Sequence, residues 1–169
     1  INIDIDEIKI EGFNLLRPRD TNIACAVSNR TGTVEYNSGG FYSLINTLEN
    51  DFQVFYTKYE KNTAPARTLQ SIIDDSPFHG QQIDLLTVDV ESHDTEVLQS
   101  LGLDRYRPNV VVVEIHVDGF SELVESEAFQ LLQKYDYEVV NWCGPSVIFK
   151  RTDWKIANEK RQMLRRKSA

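Results

Sequence analysis

The chain opens on a strict alternation. In "INIDID" the isoleucines Ile1, Ile3 and Ile5 fall on one side of an extended segment, the period-two pattern of a β-strand. The period then lengthens. In "EIKIEGFNLL" the residues Ile8, Ile10, Phe13, Leu15 and Leu16 recur near helical spacing until Pro18, which cannot continue a helix. "TNIACAV" predicts a second strand, ended by the turn residues of "SNRTG". "TVEYNSGGFYSL" and "FQVFYTKYE" predict peripheral strands joined through Gly39-Gly40 and a polar segment, and "RTLQSIIDD" a short helix. "IDLLTVDV" is apolar at nearly every position, which predicts a strand covered on both faces. "DTEVLQSLGL" predicts a helix that covers the sheet with Val97, Leu98, Leu101 and Leu103. "NVVVVEIHV", the most β-branched run of the chain, predicts a central strand. "SELVESEAFQLLQKYD" predicts one more helix, and "YEVVNW" and "SVIFKR", separated by "CGP", a closing hairpin with Trp142 and Phe149 as packing residues. Strands alternating with helices before a hairpin predict one α/β domain with a mainly parallel sheet.

Charge divides this picture in two. Up to residue 149 there are 10 Lys and Arg against 24 Asp and Glu; from Lys150 onward there are 8 against 2. The acidic body repels nucleic acid, while the tail "KRTDWKIANEKRQMLRRKSA", residues 151–169 with its leading lysine, is expected to be a solvated, fraying helix able to touch an anionic partner. No apolar run approaches the roughly 20 residues of a spanning helix. Cys25 and Cys143 have no CxxC or Cys/His partner spacing, so reduced core thiols in a cytoplasmic protein are expected.

Candidate chemistry gathers where two strands end. The apolar run of residues 83–88 leads into Asp89, Glu91, His93 and Asp94, and the next strand ends in Glu114 and His116. Open α/β sheets bind ligands outside the carboxyl ends of their strands, so this cluster lies where such a fold keeps its site. A phosphoacceptor receiver domain also ends a strand in acids, but it needs a lysine where this chain has Glu114 and His116.

The segment "IDLLTVDVESHDTEVLQSLGLDRYRPNVVVVEIH" resembles the signature of the FkbM-type methyltransferases, roughly IDFLKIDVEGxExEVLxG followed by RPxVVVVE. The likeness extends upstream through "RPRDTNIACAVSNRTGTVEY" and "ARTLQSII", and downstream to "SEAFQLLQKYDYEVV", so it covers about residues 1–150. It implies a Rossmann-like class I fold with strand order 3-2-1-4-5-7-6 and S-adenosylmethionine as cofactor. The reaction implied is O-methylation of a small-molecule hydroxyl such as that of a sugar or polyketide, by in-line attack of the substrate oxygen on the sulfonium methyl.

On that pattern "INIDID" corresponds to the second strand, and its Asp4 would accept hydrogen bonds from the ribose hydroxyls, since a carboxylate can take both. Ala26, Val27 and Ser28 would pass near the adenine. Asp89 would face cofactor and substrate, the alternative being a helix-capping acid. Glu91 would touch bound groups or carry a loop hydrogen bond. His93 is the candidate general base, because imidazole titrates near neutrality; the alternative is an exposed loop histidine. Glu114 joins the catalytic set and His116 the substrate wall. Asp89, Glu114 and His116 together form an O/O/N set able to hold Mg²⁺ or Mn²⁺. Asp94 and Glu96 have a simpler reading as helix-start acids, stabilised by the dipole.

The family's glycines stand here as Ser92 and Ser100, and no GxGxG-like turn occurs. Ser92 either narrows a left-handed turn or caps the helix after it. The expectation is therefore a partial methyltransferase domain at 1–150 without its first strand, which alone would not catalyse. The rival reading is a non-catalytic binding or interaction domain of the same fold.

Overall fold

The computed structural model describes residues 1–38, 46–47 and 60–155. β1 (Asn2–Asp4) leads into α1 (Glu7–Leu16), whose N-terminus is capped by Asp6: its carboxylate accepts the Ile8 N–H at 2.9 Å. β2 (Asn22–Ala24) returns parallel to β1, and β3 (Ala26–Val27) follows after a break at Cys25, whose N–H donates to the Asp4 carbonyl. β4 (Gly32–Ser38), β5 (Asn46–Thr47) and β6 (Glu60–Arg67) make a separate sheet with β3, in the order β3-β6-β4-β5. α2 (Leu69–Asp74) starts at Thr68, whose hydroxyl accepts the Ser71 N–H.

The third sheet has the order β7-β8-β10-β9 and is built from β7 (Leu85–Val88), β8 (Val110–Glu114), β9 (Tyr137–Cys143) and β10 (Ser146–Arg151). β7 and β8 run parallel, linked through α3 (Asp94–Ser100), whereas β10 lies antiparallel to both β8 and β9. α4 (Phe120–Glu125) and α5 (Glu127–Lys134) follow β8. The core forms on this sheet. Val111 and Val113 of β8 and Val147 and Phe149 of β10 bury against Val97, Leu98 and Leu101 of α3 and its C-terminal end, and against Leu123 and Leu132. Ser100 belongs to this packing: its hydroxyl accepts the Leu69 N–H at 3.0 Å and donates to the Val97 carbonyl, tying the start of α2 to α3. The left-handed residue near this helix end is Gly102 (φ 67°), where an added Cβ would meet the Gln70 side chain at 2.3 Å.

Several expectations change here. The chain is α/β, but its sheets are mixed rather than mainly parallel. The order β7-β8-β10-β9 matches the 4-5-7-6 flank of the expected arrangement, and β2-β1 its 3-2 flank. The two flanks are not hydrogen-bonded to each other. β7 is accordingly an edge strand, not one covered on both faces, and Leu85 is 59% exposed. "TNIACAV" divides into two strands serving different sheets. The single long helix expected over residues 121–136 is two helices, because Ser126 adopts extended backbone (φ −64°, ψ 144°), ends α4 and caps α5 through its hydroxyl to the Phe129 N–H. β6 was hidden by Pro65, which argues against a strand interior. The strand tolerates it because β3 pairs β6 only at Ala66 and Arg67, so among the described residues the ladder is one-sided at Pro65. Of the two cysteines Cys25 is buried and Cys143 exposed, so only Cys25 is a core thiol. The strand expected in "FQVFYTKYE" and the tail beyond Lys155 lie outside the described residues.

Candidate functional site

A crevice of about 210 Å³ opens between the carboxyl end of β1 and the loop that leaves β7. Its first wall is Ile3, Asp4 and Ile5 with Lys9 of α1, its floor is Cys25, Ala26 and Val27, and its second wall is Asp89, Val90, Glu91 and His93. Residues far apart in the chain, Asp4, Ala26, Val27, Asp89, Glu91 and His93, thus line one crevice. Ser28 lies just outside, in a neighbouring hollow that also has His93 in its wall.

Asp4 is held from within. One carboxylate oxygen accepts the Asp6 N–H at 2.9 Å, and the other lies 3.9 Å from Lys9 Nζ. The crevice therefore carries three carboxylates, those of Asp4, Asp89 and Glu91, against the single ammonium of Lys9 among its described lining residues. Lys9 and Cys25 were not foreseen. Lys9 sits between the apolar positions Ile8 and Ile10, where the pattern directs attention to the helix's other face. Burial pushes the Cys25 thiol upward, with the Arg67 charge opposing, so it is a neutral floor group.

The second wall is a strained turn. Glu91 (φ 51°) and Ser92 (φ 82°) are consecutive non-glycine residues in left-handed backbone. The residue replacing the family's glycine therefore occupies the conformation that glycine favours. Ser92 does not cap α3: the cap position is His93, without a side-chain cap bond. Asp89 lies ahead of this turn and does not cap the helix either. Burial raises the Glu91 carboxyl above its ordinary range, and the charges of Asp89 and Glu114 raise it further. Asp94, expected to be a helix-start acid stabilised by the dipole, does begin α3, and it is 5% exposed. Its carboxyl is raised foremost by burial, opposed by the backbone N–H groups of Val90 and of Asp94 itself, with Asp89 and Glu114 adding to the rise.

Glu114 and His116 share one side of their strand end, as their spacing requires, and meet at 3.5 Å. Neither lines the crevice. Among the described residues no three His, Cys, Asp or Glu side chains converge as metal ligands, so Asp89, Glu114 and His116 do not make the divalent-cation site expected of them. The reason is geometric: Asp89 borders the crevice, while the exposed His116 ring turns to Glu114. His79 is exposed and lies 3.4 Å from Asp74.

A family model described as "Methyltransferase FkbM domain" matches residues 5–139. No curated protein and no solved structure matches the chain. No helix among the described residues is long and apolar enough to cross a membrane.

Proposed function

The chain belongs to the FkbM methyltransferase family, and on that premise we propose an S-adenosylmethionine-dependent O-methyltransferase whose acceptor is a small-molecule hydroxyl, of the sugar or polyketide kind. The observation that carries this reading is the convergence of Asp4, Ala26, Val27, Asp89, Glu91 and His93 on one crevice. The residues fit the cofactor. Asp4 has spent one acceptor position on the Asp6 N–H, and the remaining lone pairs of its carboxylate suffice for two ribose hydroxyls. The excess of carboxylates over Lys9 suits a ligand that carries a sulfonium and an ammonium. Ala26 and Val27 offer small apolar surface to a flat base.

When bound, the cofactor supplies an electrophilic methyl group. The chain's own part is to align the acceptor hydroxyl and take up its proton. His93, in the wall of the crevice, is the group assigned to the proton. Asp89 and Glu91 border the same space and are assigned to orientation, Asp89 on the cofactor side and Glu91 on the substrate side. Glu114 acts through its field on Glu91, and His116 reaches an acceptor only from the exposed rim. The reading includes a cytoplasmic setting for the two unpaired thiols. The basic tail remains a candidate for anionic contact.

Calorimetric titration of S-adenosylmethionine tests the reading, in this chain and in one extended at its N-terminus. Asp4→Ala is expected to weaken binding on the order of tenfold, about 1.4 kcal/mol. A folded extended protein that takes up no cofactor would remove the methyltransferase reading and leave a binding or interaction domain of the same fold.

A further inference from the structure

Lys9 stands where helix chemistry argues against it. It is the third residue of α1, whose cap is Asp6, so it occupies the first turn. There the helix dipole repels a cation, and a capping box would place Glu or Gln. An ion pair with a partly exposed carboxylate does not offset that placement, since such pairs add little to stability. Yet Lys9 lines the crevice, in the same wall as Asp4. The segment "DIDEIK" builds this arrangement locally. Asp6 turns the chain into the helix, its N–H fixes Oδ1 of Asp4 at 2.9 Å, and the first turn brings Lys9 toward the other oxygen.

The spacing of the two charges says what fits between them. Lys9 Nζ lies 3.9 Å from Asp4 Oδ2, too far for a direct hydrogen bond but close enough for both to reach one atom placed between them. A ligand oxygen about 2.8 Å from each would sit at ordinary hydrogen-bond length. The two groups make opposite demands on that atom. The carboxylate oxygen needs a donor and the ammonium needs an acceptor, and a hydroxyl is both at once. An amine in the same place would meet the charge of Lys9, and a phosphate would meet that of Asp4. Among the described residues Oδ2 accepts no hydrogen bond, whereas Oδ1 is taken by the Asp6 N–H.

We propose that Lys9 is a binding residue: its ammonium and Oδ2 of Asp4 hold one ligand hydroxyl between them, and so make the crevice selective for a hydroxylated sugar over its deoxy counterpart. Identifying that sugar as the cofactor's ribose rests on the function proposed above; the pairing of Lys9 with Asp4 does not. A site that hydrogen-bonds a hydroxyl rejects the analogue without it, because its polar groups are then left unpaired.

The deciding experiment is an NMR titration of this chain and of Lys9→Met with adenosine, 2′-deoxyadenosine and 3′-deoxyadenosine. Lys9 is partly exposed, so its replacement by an apolar chain of similar length leaves the fold intact. In the unaltered chain one of the two deoxy nucleosides is expected to bind about tenfold more weakly than adenosine. In Lys9→Met that penalty is expected to fall to about threefold, because the hydroxyl then has Asp4 alone. A lysine that served only α1 would change all three affinities by one factor and leave the penalty where it was. That result would overturn the proposal, as would equal binding of the three nucleosides by the unaltered chain, or no binding of adenosine. Uptake of S-adenosylmethionine with an unmoved penalty would remove the role of Lys9 and leave the methyltransferase. A reduced penalty without uptake of S-adenosylmethionine would do the reverse.

Discussion

Two regions of this molecule use the same kinds of element to different ends. The sheet β7-β8-β10-β9, with α3, α4 and α5, buries a continuous apolar cluster in which Leu98, Leu101, Val111, Val113, Leu123, Leu132 and Val147 are all fully inaccessible. The pair β1-β2 with α1 buries only Ile10 as an apolar side chain, and Leu15 and Leu16 of α1 are more than 80% exposed. The difference teaches where stability and binding separate. A four-stranded sheet covered by helices removes enough apolar surface from water to hold its shape, whereas a two-stranded ladder with one amphipathic helix does not. Yet the lightly buried region supplies one wall of the crevice, Ile3, Asp4, Ile5 and Lys9. The site thus lies between a deeply buried region and a lightly buried one.

The sharpest way to break this comparison is to empty each region in turn. Phe149, 1% exposed and edge-on to Phe129 at 5.9 Å, is the hub of the larger sheet. Phe149→Ala is expected to cost about 3–5 kcal/mol by lost transfer and cavity terms. Leu16→Ala, at the end of α1, is expected to stay within about 0.5 kcal/mol. Urea unfolding midpoints of the two variants measure the contrast directly. Equal losses would show that the two regions share one core.

A smaller effect separates them by pH. Tyr137, the first residue of β9, is buried with its hydroxyl donating to the Pro108 carbonyl at 2.6 Å, and burial pushes its phenol up to about 12, with Arg107 and Arg151 opposing. An unfolded tyrosine titrates near 10. Between those two values the unfolded chain has released the proton that the folded chain retains. Stability contributed by Tyr137 is therefore whole below pH 10 and lost as pH rises toward 12, by about 2 to 3 kcal/mol. Denaturation midpoints followed from pH 9 to 12 should fall, and Tyr137→Phe should flatten the largest part of that fall.

The smallest of these effects concerns the joint in the helical layer. Ser126→Ala removes the hydroxyl that accepts the Phe129 N–H, at a cost of about 1 kcal/mol. If the helices are independent units joined at Ser126, thermal unfolding shifts by a few degrees and helix content by circular dichroism holds. A gain in helicity would mean that α4 and α5 fuse into the continuous helix that their apolar spacing suggests.

The elements that the sequence specified by itself are those whose residues agree at every level. β8 is legible because four successive valines suit nothing but a strand, α1 because its apolar residues recur near helical spacing until Pro18, and the closing hairpin because Gly144 stands at its turn with φ 59°. The acid-rich loop after β7 was equally legible, since polar residues at the end of an apolar strand need a purpose. Tertiary structure alone decided the rest. Among the described residues it left the outer edge of β7 unpaired, and it admitted Pro65 to a strand at a point where one side of that strand has no partner. It separated Glu114 and His116 from the crevice by pairing them with each other. Above all it buried Asp94. Local spacing marks Asp94 as a helix-start acid, and only the chain folded over it makes that acid an inaccessible group beside a strained turn. Period and turn chemistry act over a few residues, so a sequence displays them. Burial and the meeting of distant charges depend on what the rest of the chain places alongside.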